Sequence, residues 1–127
     1  MAKQPLSLKV RLPRYESPRN EWRKKLHAGI MTALRDKGIE YTTDQKLELH
    51  ITLYLEEPHI KFHDVDNRLK DIMDSLQGRM GGSKKEQIFE RIIPNDRHIY
   101  KVTIEKKHPP IQSHGLGHLQ IRKYKET

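Results

Sequence analysis

Leu47, Leu49, Ile51, Leu53 and Leu55 alternate with Glu48, His50, Thr52 and Tyr54. That period of two fits an extended strand with one face buried and the other wet, and a helix would scatter the same side chains around its whole circumference. The pattern stops before Pro58. A chain of 127 residues holds one modest core, so the rest of the sequence must supply what covers the apolar side of this strand. Leu6, Leu8, Val10 and Leu12 alternate with Ser7, Lys9 and Arg11 as a second strand that Pro13 ends. Ser17-Pro18 reads as an N-cap with proline in the first turn. Trp22, Leu26, Ile30, Ala33 and Leu34 then recur at helical spacing, with Arg23, Lys24 and Lys25 on other faces, until Gly38 offers a C-cap. This predicts a helix of about five turns.

A second helix follows residue 64, with Leu69, Ile72, Met73 and Leu76 on one face and Gly78 beyond them. Gly81 to Glu86 is expected to be a mobile loop. Ile88, Phe89, Ile92 and Ile93 form an apolar patch compatible with either a helical turn or a strand. Tyr100, Val102 and Ile104 alternate with Lys101, Thr103 and Glu105 as a further strand. Pro109-Pro110 breaks the chain and opens a basic, mobile C-terminal tail from about residue 108, in which Leu119 and Ile121 could add an edge strand. The expected architecture is a single α/β (α+β) domain over residues 1–127, a small mixed β-sheet with two helices packed on it.

Twenty-five Lys and Arg against 17 Asp and Glu leave a formal charge of +8, and polyanions, nucleic acid above all, are the natural partners. The absence of cysteine excludes disulfides and thiolate metal sites. No apolar run is long enough to cross a bilayer, and Met1 to Leu12 lacks the apolar core of a signal peptide. The expected location is the cytoplasm.

Against that basic background Asp64-Val65-Asp66-Asn67 stands out, with an isolated Asp96 ahead of the Tyr100 strand. If the two strands beside them are neighbours, the three carboxylates could meet at one end of the sheet. Two ionised carboxylates about 4 Å apart repel by roughly 4 kcal/mol at an effective dielectric of 20, and a bound cation reverses that sign. Oxygen-only ligation favours magnesium, with manganese a substitute. Equally, Asp64 or Asp66 could cap the helix and Asp96 could make a turn. Lys70, one turn beyond Asp66, could lie over a scissile phosphate or pair with Asp66 or Asp74. Asp71 and Asp74 read as solvated helix charges, Asp74 being about 12 Å from Asp66 along the axis. His63, His114 and His118 make a poor metal case. Candidate DNA contacts are Arg11, Arg14 and Arg19 around the first loop, Arg23 and Lys24 on the first helix, Lys106 and Lys107 at the end of the Tyr100 strand, and the aromatics Tyr15 and Phe62 for stacking on unpaired bases.

The run Asp64-Val65-Asp66-Asn67-Arg68-Leu69-Lys70, the helix that continues through Asp71-Ile72-Met73-Asp74-Ser75-Leu76, and the acid-then-strand segment Asp96 to Ile104 resemble the RusA-type Holliday junction resolvases over most of the chain. The resemblance implies a small α/β fold that forms homodimers and cleaves four-way DNA junctions with magnesium. It further implies that Asp64, Asp66 and Asp96 are metal-binding catalytic carboxylates and that Lys70 is a basic residue of the catalytic site. The chain departs from that family's pattern at Asn95, where many members carry a second acid, and in a longer segment from Gly78 to Pro94. A nuclease of flaps or forks, and a basic nucleic-acid-binding domain without catalysis, are the competing expectations.

Overall fold

A computed structural model describes residues 7–15, 19–79, 89–110 and 117–125, with the backbone alone at 19, 20 and 59. Strand β1 (Leu8–Leu12) buries Leu8, Val10 and Leu12 and exposes Lys9 and Arg11. Helix α1 (Arg19–Lys37) buries Trp22, Leu26, Ile30 and Leu34, a continuous i, i+4 stripe. It ends at Gly38, whose φ of 64° lets the Ile39 N–H turn back to the Leu34 carbonyl at 3.0 Å. Strand β2 (Leu47–Tyr54) places Leu47, Leu49, Ile51 and Leu53 in the core. A short helix α2 (His59–Phe62) leads into α3 (Val65–Leu76), which buries Ile72 and Leu76.

Gly78 closes α3 at φ 73°, and a Cβ there would lie 2.1 Å from the Phe89 carbonyl oxygen, so only glycine allows the returning chain so close. Phe89 to Ile93 is neither helix nor strand. The N–H groups of Ile92 and Ile93 bond the Leu76 carbonyl, and the Gln77 amide bonds Ile93 O at 2.8 Å, so this stretch serves as the C-terminal lid of α3. Ile88 and the Gly81 to Glu86 loop lie outside the described residues. A 3₁₀ turn (Asp96–His98) precedes β3 (Ile99–Lys107), and β4 (Gly117–Lys123) completes the sheet.

The strand order is β1-β4-β2-β3, with β4 antiparallel to both β1 and β2, and β2 parallel to β3. The mixed sheet with helices packed on one face is the architecture anticipated from the periodicities. The last segment corrects a local expectation. Gly117–Lys123 is an inner strand, paired on both sides, and neither a tail nor an edge. Alternating Leu119 and Ile121, both fully buried, explain why. The edges are β1 and β3. Among the described residues no helix is long and apolar enough to cross a membrane.

Candidate active site

Asp64 occupies the N-cap position of α3 in extended backbone geometry, yet its side chain makes no cap hydrogen bond. Its carboxylate instead accepts a long 3.4 Å bond from the Asn67 side-chain amide, while Asp66 Oδ1 accepts the Asn67 backbone N–H at 3.0 Å. Both acids are exposed. They sit at the positive end of the helix dipole, where a negative charge is stabilised. Lys70 is exposed on the next turn and makes no ion pair with Asp66 or Asp74 among the described residues. The capping and intrahelical-pairing alternatives for Asp64 and Lys70 are thus not what the chain adopts.

Asp96 is also exposed, at the start of the 3₁₀ turn. The turn is capped by Asn95, whose side chain accepts the Arg97 N–H at 3.0 Å. The neighbouring strands do not bring this acid to the other two. Because β2 and β3 are parallel, the loop leaving β2 and the loop entering β3 lie at opposite ends of the sheet. The Lys106 ammonium bonds the carbonyls of Ile60 and His63, which fixes the Asp64 loop beside the C-terminal end of β3. From first to last, the nine residues of β3 span roughly 26 Å at about 3.3 Å per step, and Asp96 lies beyond the far end. Among the described residues no group of three acids or histidines is placed to share a cation.

Behind the exposed pair α3 is anchored by buried charge. Asp71 is fully buried and Arg23 nearly so. Arg23 donates to Asp71 Oδ1 from Nε at 3.0 Å, and its Nη2 lies 3.0 Å from Asp71 and 3.2 Å from Asp74. Arg68 Nη2 lies 3.3 Å from the other Asp71 oxygen, and its guanidinium covers the Tyr15 ring at 4.2 Å. Asp71 and Asp74 are therefore not solvated charges, and Arg23 is not an open DNA contact. The packing of α1 against α3 turns both sets inward, a relation between helices that neither helix reveals alone. Arg68 Nε and Nη1 are buried without a hydrogen-bond partner among the described residues, which makes this arginine a costly one to hold.

The other candidate contacts divide. Arg11 and Arg14 are exposed. Lys24 is exposed and 3.3 Å from Glu21, and Lys107 is 3.5 Å from Glu105. Arg19 opens α1, its side chain lying outside the described residues. Lys106 is committed to two carbonyls, so its role is to position the Asp64 loop. Tyr15 is half-buried, edge-on to both Trp22 and His63. Phe62 is 75% exposed, which an aromatic meant for the core would not be.

One group that pattern reading passed over is Glu48. It is buried on the helix-free face of the sheet, bonded to His50, Arg122 Nε at 3.0 Å and the Lys125 N–H at 3.2 Å. Those hydrogen bonds, His50 first and Arg122 next, lower its pKa to about 2. A glutamate on the polar phase of an otherwise clear alternation carries no sequence sign of burial. Compared with models of known protein families and with curated proteins, the chain finds no match in either.

Proposed function

We propose that the chain is a magnesium-dependent endonuclease of branched DNA, of the RusA type, acting as a homodimer. The observation that carries this reading is the exposed Asp64 and Asp66 pair at the α3 N-terminus, with Asp64 in the cap position but not capping and Lys70, one turn on, unpaired among the described residues. Magnesium is commonly held by one or two carboxylates together with substrate phosphate, and this pair fits that requirement. When bound there, the cation would supply an activated water and charge stabilisation at the phosphate. Lys70 would present a fixed positive charge to the same phosphate.

Asp96 can join such a site only from a second copy. β3 is an edge strand, and two β3 edges paired antiparallel about a two-fold axis would set the Asp96 end of one copy against the Asp64 end of the other. Two matched sites on one axis also suit the two nicks that resolve a four-way junction. The alternative, a basic binding domain without catalysis, draws support from the separation of Asp96 within one chain.

The test is incubation of the protein with magnesium and a labelled four-way junction, with linear duplex as control. Paired cuts in the junction alone are expected. Binding without cleavage in magnesium or manganese would favour the non-catalytic alternative, and equal cutting of linear duplex would remove the junction reading.

A further inference from the structure

The described helices cover one face of the sheet, and the opposite face, free of helix among the described residues, is polar. Two of the cations on that face are matched, Arg122 of β4 with Glu48 of β2 and Lys107 with Glu105 on β3. Those of β1 are not. Lys9 and Arg11 are exposed and pair with no carboxylate among the described residues. Arg11 stands directly opposite His118 in the register, and Lys9 opposite Gln120, the next residue on the same face. Directly opposed side chains in an antiparallel pair lie about 5 Å apart at Cβ and diagonal ones roughly 7 to 8 Å, and like charges so placed are destabilising. His118 registers the crowding: burial, then Lys9 and Arg11, push its pKa down.

We propose that Lys9, Arg11 and His118 form a phosphate-backbone site for a duplex arm of DNA, lying on the helix-free face of the sheet. The inference rests on the nucleic-acid reading above and adds the surface that holds the substrate. Lys9 and Arg11, two exposed cations two residues apart on one face of β1 with no carboxylate beside them among the described residues, are a local conflict of the kind found at functional sites, and a polyanion relieves it. Phe62 and Tyr100 are the large exposed hydrophobic side chains among the described residues, and neither belongs to this cluster. A membrane-surface site would require such groups on the same face. The location is also apt. The Arg11, His118 and Thr52 row lies next to the Leu12, Gly117 and Leu53 row, at the end of β2 from which the chain runs on to Asp64 and Asp66. An arm resting here would be directed towards the acidic pair.

Phosphate beside His118 would favour its protonated form. Among the described residues the groups facing it are Lys9 and Arg11 from β1 and the Tyr54 ring from β2, edge-on at a centroid distance of 5.5 Å. None is a carboxylate that would supply the same stabilisation without DNA. Binding through this site should accordingly tighten as pH falls, and His118→Gln should flatten that response.

The experiment measures binding of the full chain, in EDTA, to a labelled four-way junction and to a linear duplex of one arm across a salt series. The wild type is compared with Lys9→Gln/Arg11→Gln and with Lys37→Gln, an exposed charge at the end of α1. The double variant should bind both DNAs roughly tenfold more weakly, with the log-log salt slope less steep by about 1.8 for two phosphates released, while Lys37→Gln stays within twofold of wild type. If the double variant keeps the wild-type affinity and slope, or Lys37→Gln falls as far, this surface is wrong while the nucleic-acid reading stands. If the wild type binds neither DNA, both fall. Displacement of the duplex by polyglutamate at equal charge concentration would overturn DNA as the occupant.

Discussion

Asp66 and Asp71 lie on the same helix, five residues apart, and have opposite fates. Asp66 is exposed at the helix start, where among the described residues it accepts only a backbone N–H, whereas Asp71 is fully buried between two arginines. The difference is one of angular position: five residues rotate about 500°, which places the two side chains roughly 140° apart around the axis. One faces water, the other faces α1. A carboxylate turned to solvent at a helix N-terminus is free to meet a cation, and one clamped by two guanidiniums is part of the packing.

The largest expected effect comes from removing the buried member. Asp71→Ala leaves Arg23 and Arg68 buried without their shared partner and should cost about 3–5 kcal/mol, read as a lower midpoint in urea unfolding. A loss below about 1 kcal/mol, the range of surface pairs, would erase the distinction between the two acids. Asp66→Asn should show the converse. Stability should stay within about 0.5 kcal/mol, as for surface changes generally. Junction cleavage should fall roughly a hundredfold or more, the scale seen when a group stabilising transition-state charge is removed, with junction binding intact or tighter. Near wild-type cleavage would remove Asp66 from the proposed site.

A smaller effect separates Asn95 from Asp96. Because Asn95 makes the cap, Asn95→Ala should cost about 1 kcal/mol, and Asp96→Asn should leave thermal stability unchanged. The reverse order would show that Asp96 belongs to the turn and is not available to a second copy.

A last effect, read as a dependence on pH, concerns a buried acid on the other side of the sheet. Glu48 titrates at about 2 in the fold against an ordinary 4.5. A depressed carboxylate contributes stability that is fully present above its unfolded value and is lost as pH falls through the folded one. The stability difference between wild type and Glu48→Gln should therefore be constant above about pH 4.5 and shrink as pH falls towards 2. A difference independent of pH across that window would mean that Glu48 acts through shape and not charge.

The sequence by itself determined the elements. A period of two at Leu47 to Leu55 and at Tyr100 to Ile104, and helical spacing from Trp22 to Leu34 and from Leu69 to Leu76, are local properties of the backbone geometry, and each appears where the pattern put it. The exposed acids at the head of α3 were legible for the same reason, since a helix start is written in a few adjacent residues. Tertiary structure decided everything that depended on neighbours. Leu119 and Ile121 announce a strand, but nothing local says that it inserts between β1 and β2. Arg23 and Asp71 are 48 residues apart, and a charge in sequence looks the same whether it will meet water or a buried partner. The direction of β3 relative to β2 had the largest consequence, because side-chain alternation is identical in parallel and antiparallel strands. Only the pairing fixes which end of β3 lies beside the Asp64 loop, and so places Asp96 at the opposite end of the sheet.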